Sequence, residues 1–551
     1  MEFYGLELKT WIILIGIFFL LFIIASQIVA KNDYKRPIYI GCFILVVWGL
    51  YHFFKLSFYP NLLYYLIAPA GIGGFLFGFK DYQRPAEPIK DISFKTTKGN
   101  RVIRNVFAGT GIFGGSGSGK TASVIFQYLQ HFAKNDFTGV IYDYKDGELT
   151  EICKPLFGEK LKVIAAHRPA ETLRINPIDP KYLTDEKELI ALVNVILDNL
   201  TGSEKGSGSF FHETAESLIS SIILKFALFH PKYCTLPHVI SFILAVDFSL
   251  KLEQSKGLKD EAYDTFYGLK AFLIAERRVK IQASAFLLGL ASERQTAGVI
   301  STLANALRKL AFPQSFWLLT GNQLDFGINS DEHPSVVSVL NEPKNENSLN
   351  PLIAIIIHTL SKQMMVRNRK PSFILLDEAP TIHLKNMSRI VATMRSFNVA
   401  SVYCAQDIVQ GSRQYTKEGF KEILTNLSTL FFGRANDPDS AKFYEGYFKP
   451  INIKTKSRTS KSGNSGGAST TTSEKEVAEI RAHEFITFKP GKFAFISGGK
   501  AEKVQFTSPT FKTESFLKEE DIEIQGKIIA NYEKIILDTE FFAKTLGISQ
   551  Q

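Results

Sequence analysis

Cysteine is scarce in this chain. Four in 551 residues, Cys42, Cys153, Cys234 and Cys404, lie far apart, with no CxxC and no histidine beside them at ligand spacing. This excludes a disulfide framework and a thiolate metal site, and fits a body kept in a reducing compartment. A strong charge of one sign is also missing: 64 Lys and Arg against 54 Asp and Glu leave +10. An excess this mild suits contact with an anionic partner or a membrane surface. No small-residue cleavage site follows the first apolar run, which excludes a cleaved signal peptide.

Long apolar runs, by contrast, are present. Residues 11–30, "WIILIGIFFLLFIIASQIVA", carry no charge and are long enough to cross a hydrocarbon core of ~30 Å. Residues 37–54 form a second expected span. Residues 62–79 form a third, interrupted by Pro69 and several glycines, with an interfacial or re-entrant segment as the alternative. Lys31, Lys35 and Arg36 against Asp33 place the first connecting loop on the cytoplasmic side. Three spans then return the chain to the cytoplasm, which makes it a multi-pass protein of a bacterial inner membrane.

Residues 80–100, polar and carrying Pro85 and Pro88, read as a linker. Beyond them, short apolar runs at 111–113, 139–143, 161–165, 336–340, 373–376, 399–404 and 429–433 alternate with helical patterns. That alternation predicts an α/β fold with strands covered on both faces. Between 185 and 313 the apolar spacing is three and four throughout, so an all-α domain interrupts the α/β domain. The expected organisation is a transmembrane region at 1–84, a nucleotide-binding domain in two parts at 85–184 and 314–510, the insertion at 185–313, and a helical tail at 511–551. The Ser/Thr/Gly-rich stretch 456–474 reads as a mobile loop whose cations are solvated or touch a phosphate backbone.

The chemistry is concentrated in two phrases. "FGGSGSGKTAS" follows a short apolar run and precedes a helical pattern, the setting a P-loop requires. In it Gly114, Gly115, Ser116, Gly117, Ser118, Gly119, Lys120, Thr121 and Ala122 would surround a triphosphate with backbone N–H groups at a helix N-terminus. Lys120 would reach the terminal phosphates and Thr121 a Mg²⁺ ion. "PSFILLDEAPTI" ends a buried strand in two carboxylates, with Asp377 for the Mg²⁺ shell and Glu378 to orient or deprotonate an attacking water. The phrase also looks like that of ABC transporter ATPases. However, 257 residues separate Lys120 from Asp377 (377 − 120), and no LSGGQ-like signature precedes the acidic pair. Downstream, Gln406 ends an apolar strand and could sense the terminal phosphate. Arg395 ahead of that strand, or Arg434, could supply charge to a neighbouring subunit's nucleotide.

Together with "YDYKDGELTEI", "RINPID", "SFFHETAESLISSII", "ERQTAGVISTLANAL", "VQGSRQY" and "AEIRAHEFITFKPGKFAFI", these phrases resemble the type IV coupling proteins, the TraG/TraD-like conjugative DNA-transfer ATPases, over residues 10–510. The resemblance implies a membrane-anchored RecA-like P-loop NTPase with an inserted all-α domain, hexameric around DNA. It would use ATP and Mg²⁺ to pass relaxase-bound single-stranded DNA to a type IV secretion channel. It also matches Asp143, Lys145, Gly147 and Glu148 to a turn near the nucleotide, with Asp146 as an extra residue. DNA contact would be sequence-independent; "VRNRK" at 366–370 and "RRVK" at 277–280 are basic candidates, with solvated helix ends as the alternative. An FtsK- or HerA-like translocase, a secretion-channel ATPase, and a cargo receptor that binds nucleotide for assembly only are the competing readings.

Overall fold

Apart from short pieces before residue 87, the computed structural model describes residues 87–548, except 184, 202–208, 247–266, 461–467, 508 and 518–521. Of the expected spans 11–30, 37–54 and 62–79, residues 16, 18–25, 40, 69–70 and 72–73 are described, all as helix, and the rest lie outside the described residues. Among those described, no helix is long and apolar enough to cross a membrane. The chain divides into two units, Met1–Ile89 and Lys90–Gln551, and the second carries the fold that follows.

Its centre is a nine-stranded sheet. In chain order the strands are β1 (Thr110–Phe113), β2 (Thr138–Asp143), β3 (Leu161–Ile164), β4 (Val336–Leu340), β5 (Ser372–Leu376), β6 (Val399–Ala405), β7 (Thr429–Phe432), β8 (Lys492–Ser497) and β9 (Lys500–Gln505). Their order across the sheet is β9-β8-β7-β1-β6-β5-β2-β4-β3. The first seven run parallel; β8 pairs antiparallel with β7, and β9 with β8. Every residue of β1, β2, β4, β5, β6 and β7 is buried. That two-sided burial is why these strands are continuously apolar rather than alternating.

All seven expected strands are present, within one residue at either end. The antiparallel edge β8–β9 was not foreseen, and two expectations are corrected. Residues 80–100 are not simply a linker: Ile92–Thr96 and Gly99–Ile103 form a hairpin that buries Ile92, Phe94 and Ile103. Ile92, Phe94 and Thr96 point to one face, so a period-two apolar signal was hidden by the polar residues between them. The stretch 456–474 is not a loop over most of its length. Pro450–Ser460 pairs antiparallel with Ala468–Ala478, Lys454 lying opposite Glu474. Thr and Ser tolerate extended backbone, and composition alone cannot separate such a ladder from a loop.

The insertion leaves the sheet after β3 and returns at β4. It holds helices Glu186–Thr201, Ser209–Phe229, Leu236–Ala245, Tyr267–Ile274, Arg277–Gln282, Ser284–Gly289, Glu293–Arg308 and Pro313–Leu318. The last helix therefore extends past the expected boundary at 313. Thr235 caps the third helix, its hydroxyl accepting from the His238 backbone N–H. The C-terminal helix, Ile522–Thr545, packs on this domain: Phe542 stacks on Tyr233 with ring centres 4.6 Å apart, and Tyr532 lies 5.0 Å from Phe316.

Candidate active site

The parallel strands all end on one edge of the sheet, and that edge carries the expected site. β1 runs into Gly114–Lys120, then a wide π-type first turn, Thr121–Ile125, then helix Phe126–Lys134. Gly117 and Gly119 hold φ of +72° and +87°, values at which a side chain would be strained. At Gly115 space is the limit, because a Cβ there would fall 2.2 Å from Asn436 Nδ2. A loop lined only by glycines and small hydroxyls presents backbone N–H groups at close range.

Lys120 is buried and its Nζ donates to the Gly114 carbonyl at 2.6 Å. It also lies 3.4 Å from Glu378 Oε1, so the second carboxylate is aimed into the P-loop across 258 residues of sequence. Glu378 Oε2 is buried without a hydrogen-bond partner, and so are the hydroxyls of Ser118 and Ser123. Buried polar atoms left unpaired in this way suit a ligand. Asp377 is 3% exposed. Burial first, then Glu378 beside it, push its carboxyl up to about 7, with Lys145 and Lys120 opposing. A divalent cation would favour its ionised form, so this donor set fits Mg²⁺ and a triphosphate.

The other expected residues separate into two groups. Gln406 directly follows β6, and the Ala405 carbonyl accepts from Gly114 N–H at 3.2 Å, so the glutamine begins beside the first P-loop glycine. Arg395 stands at the opposite edge. It precedes β6, is exposed, and is roughly 20 Å of extended chain from Ala405 at ~3.3 Å per residue. It cannot serve its own chain's P-loop. Arg434, the second candidate for acting on a neighbour, touches its own P-loop, donating to the Ser116 carbonyl at 2.8 Å. The parallel pairing of β7 with β1 brings it there.

The turn after β2 is built by ion pairs. Asp143 accepts from the Thr150 N–H and hydroxyl, fixing the start of helix Glu148–Phe157. Asp146, the extra residue of the turn, takes Arg168 in a two-point pair at 2.9 and 2.6 Å and His167 at 2.7 Å. Burial opposes ionisation of Asp146, but Arg168 and His167 outweigh it and hold the carboxyl below its usual range. The Lys145 side chain is exposed and pairs with Glu148 at 3.3 Å. Partial desolvation opposes its charge, while Asp377 and Glu148 outweigh it and raise its pKa. It therefore faces the acidic pair electrostatically.

A sequence model described as "Type IV secretory system Conjugative DNA transfer" matches residues 80–515. The chain belongs to this family. Membership selects the coupling-protein reading over the chromosome-translocase and channel-ATPase alternatives. Among solved structures, the bacterial conjugative coupling protein TrwBdeltaN70 in its unbound monoclinic form superposes with a TM-score of 0.60 at 11% identity, covering 79% of this chain and 91% of that one. TrwB in complex with a non-hydrolysable ATP analogue gives 0.57 at 11% identity over 75% and 89%. TrwB with ADP and Mg²⁺ gives 0.56 at 11% identity over 74% and 87%. No curated protein sequence matches.

Within this family member, several site residues carried no readable signal. Asn436 behind Gly115, and Gly491, whose N–H donates to the Ser118 carbonyl at 2.9 Å, arrive from β7 and from the turn before β8. Only strand order brings them to the loop.

Proposed function

We propose that this conjugative DNA-transfer protein is an ATPase whose turnover drives single-stranded DNA, with its bound relaxase, into a type IV secretion channel. The reading is carried by one observation: Glu378 points its carboxylate at Lys120 within a buried, glycine-lined loop. Bound MgATP supplies a phosphoanhydride bond whose cleavage releases the driving free energy. The loop N–H groups bind the phosphates, and Lys120 neutralises their charge. Thr121 and Asp377 are the residues that would hold the metal. Glu378, with one oxygen unpartnered, orients or takes a proton from the attacking water. Gln406 reports phosphate occupancy to β6.

Arg395, distant from its own site, completes a neighbour's site in a hexameric ring around DNA. Anchoring in a bacterial inner membrane through residues 11–79, with the ATPase unit in the cytoplasm, belongs to the same proposal. The experiment is DNA-stimulated hydrolysis by the detergent-purified chain. Lys120→Ala and Glu378→Gln are each expected to lower kcat at least a hundredfold, as loss of one transition-state group does. Normal DNA transfer in cells carrying Lys120→Ala would overturn the proposal in favour of a cargo receptor that uses nucleotide only for assembly.

A further inference from the structure

Glu378 stands in the left-handed region, φ +47° and ψ +48°, which a non-glycine residue occupies only when its surroundings hold it there. The holding groups are a closed ring of side chains from four elements. The Thr381 hydroxyl donates to the Glu378 carbonyl at 2.7 Å, and the Thr381 N–H donates to the same oxygen at 2.9 Å. Tyr142 OH lies 2.8 Å from Thr381 Oγ1. Asn341 Nδ2 donates to Tyr142 OH and to Asn350 Oδ1, each at 2.8 Å, and Asn350 Nδ2 donates to the Thr381 carbonyl at 2.8 Å.

Donor counting fixes the direction of the chain. The Thr381 proton is committed to Glu378, so Tyr142 must donate to Thr381, and Asn341 must donate to Tyr142. Tyr142 and Asn341 are fully buried, and burial keeps the phenol protonated, its pKa raised. Asn341 is itself fixed. Its N–H donates to the Asp143 carbonyl at 2.8 Å, and its Oδ1 accepts from the Glu342 N–H at 2.9 Å. It is the first residue after β4, the strand that brings the chain back from the all-α insertion.

We propose that Tyr142, Asn341, Asn350 and Thr381 are positioning residues for Glu378. Their directed ring holds the strained turn that aims the carboxylate at the P-loop, and it ties that aim to the strand returning from the all-α domain. The inference rests on Glu378 being the hydrolytic base. A ring of this kind governs turnover and leaves nucleotide affinity alone, because among the described residues none of its members hydrogen-bonds to the loop that binds phosphate.

The test is Tyr142→Phe in the full-length chain, which deletes one hydroxyl and preserves shape. The expected result is a kcat at least tenfold lower with KM for ATP and affinity for a non-hydrolysable analogue within about twofold of the parent. Thr381→Val is expected to lose kcat in the same way, and Thr381→Ser, which retains the donor, to keep it. A merely structural role would lower the melting temperature without this split and without rescue by serine. Wild-type kcat in Tyr142→Phe, alongside an inactive Glu378→Gln, overturns the ring's role and leaves the ATPase reading standing. An active Glu378→Gln overturns both.

Discussion

Gly115 shows how a motif position can be set from outside the motif. The P-loop pattern leaves this residue free, yet Asn436 occupies the volume a side chain would need, its Cγ 2.3 Å from the Cβ position. Gly115→Ala is expected to weaken nucleotide binding about tenfold or more, with much of the loss recovered in Gly115→Ala/Asn436→Ala. Titration calorimetry with a non-hydrolysable analogue reads both, and strictly additive effects would show that the contact does not set the requirement. Lys120, Asp377 and Glu378 were legible as candidates because a glycine-rich loop before a helix, and carboxylates ending an apolar strand, are local patterns of residue type. Arg395 and Arg434 were not. Both look alike in sequence, as arginines flanking apolar strands, and only the parallel direction of β6 and β7 sends one to the far edge and the other onto the Ser116 carbonyl.

At the scale of elements, helix Leu236–Ala245 stores a pH dependence. His238 is buried with its Nδ1 2.7 Å from the Thr235 hydroxyl. Burial pushes its pKa down to about 4, Asp538 opposing and Lys232 and Lys534 adding to the shift. The folded ring stays neutral while the unfolded one takes a proton below about 6.5. Stability from this group is therefore present above pH 6.5 and is lost as pH falls from there toward 4, by about 2 kcal/mol at pH 5. Denaturant melts at pH 7 and pH 5 should show a smaller difference in His238→Gln than in the parent. Helices of the insertion were readable from three- and four-residue apolar spacing, since each buries one stripe. The ladder of Pro450–Ser460 with Ala468–Ala478 was not, because its Ser- and Thr-rich residues have no continuous apolar face to mark them as strand and set a register.

At the scale of the whole molecule, the C-terminal segment connects the nucleotide domain to the insertion. Phe511 packs on Phe126 of the P-loop helix, with ring centres 4.9 Å apart, and the Glu514 N–H donates to the Glu151 carbonyl at 3.0 Å. Phe516 fills the space above Gly147, where a Cβ would fall 2.4 Å from the ring. Helix Ile522–Thr545 then docks on the all-α domain, where Phe542 joins Phe226, His230, Tyr233 and Phe272. Phe542→Ala should cost about 3 kcal/mol, and thermal unfolding followed by tryptophan fluorescence should show the lower melting temperature. An unchanged melt would mean that the helix contributes nothing to the domain beneath it. The tail read as helical and charged, and its destination was invisible: amphipathic spacing reports that a face is buried, never against what.

Residue type and short spacing by themselves determined the P-loop, the acidic pair and the α/β character. Each depends on the backbone freedom of glycine, on charge at a strand end, or on apolar periodicity, all of which are local properties. Tertiary structure alone decided which residues share the site. Strand order places Asn436 and Gly491 against the loop, and the meeting of β2, β4 and the turn after β5 closes the ring from Asn341 to Glu378. Parallel neighbours are joined by long crossovers, so residues such as Tyr142 and Thr381, 239 positions apart, meet by packing and leave no spacing to read.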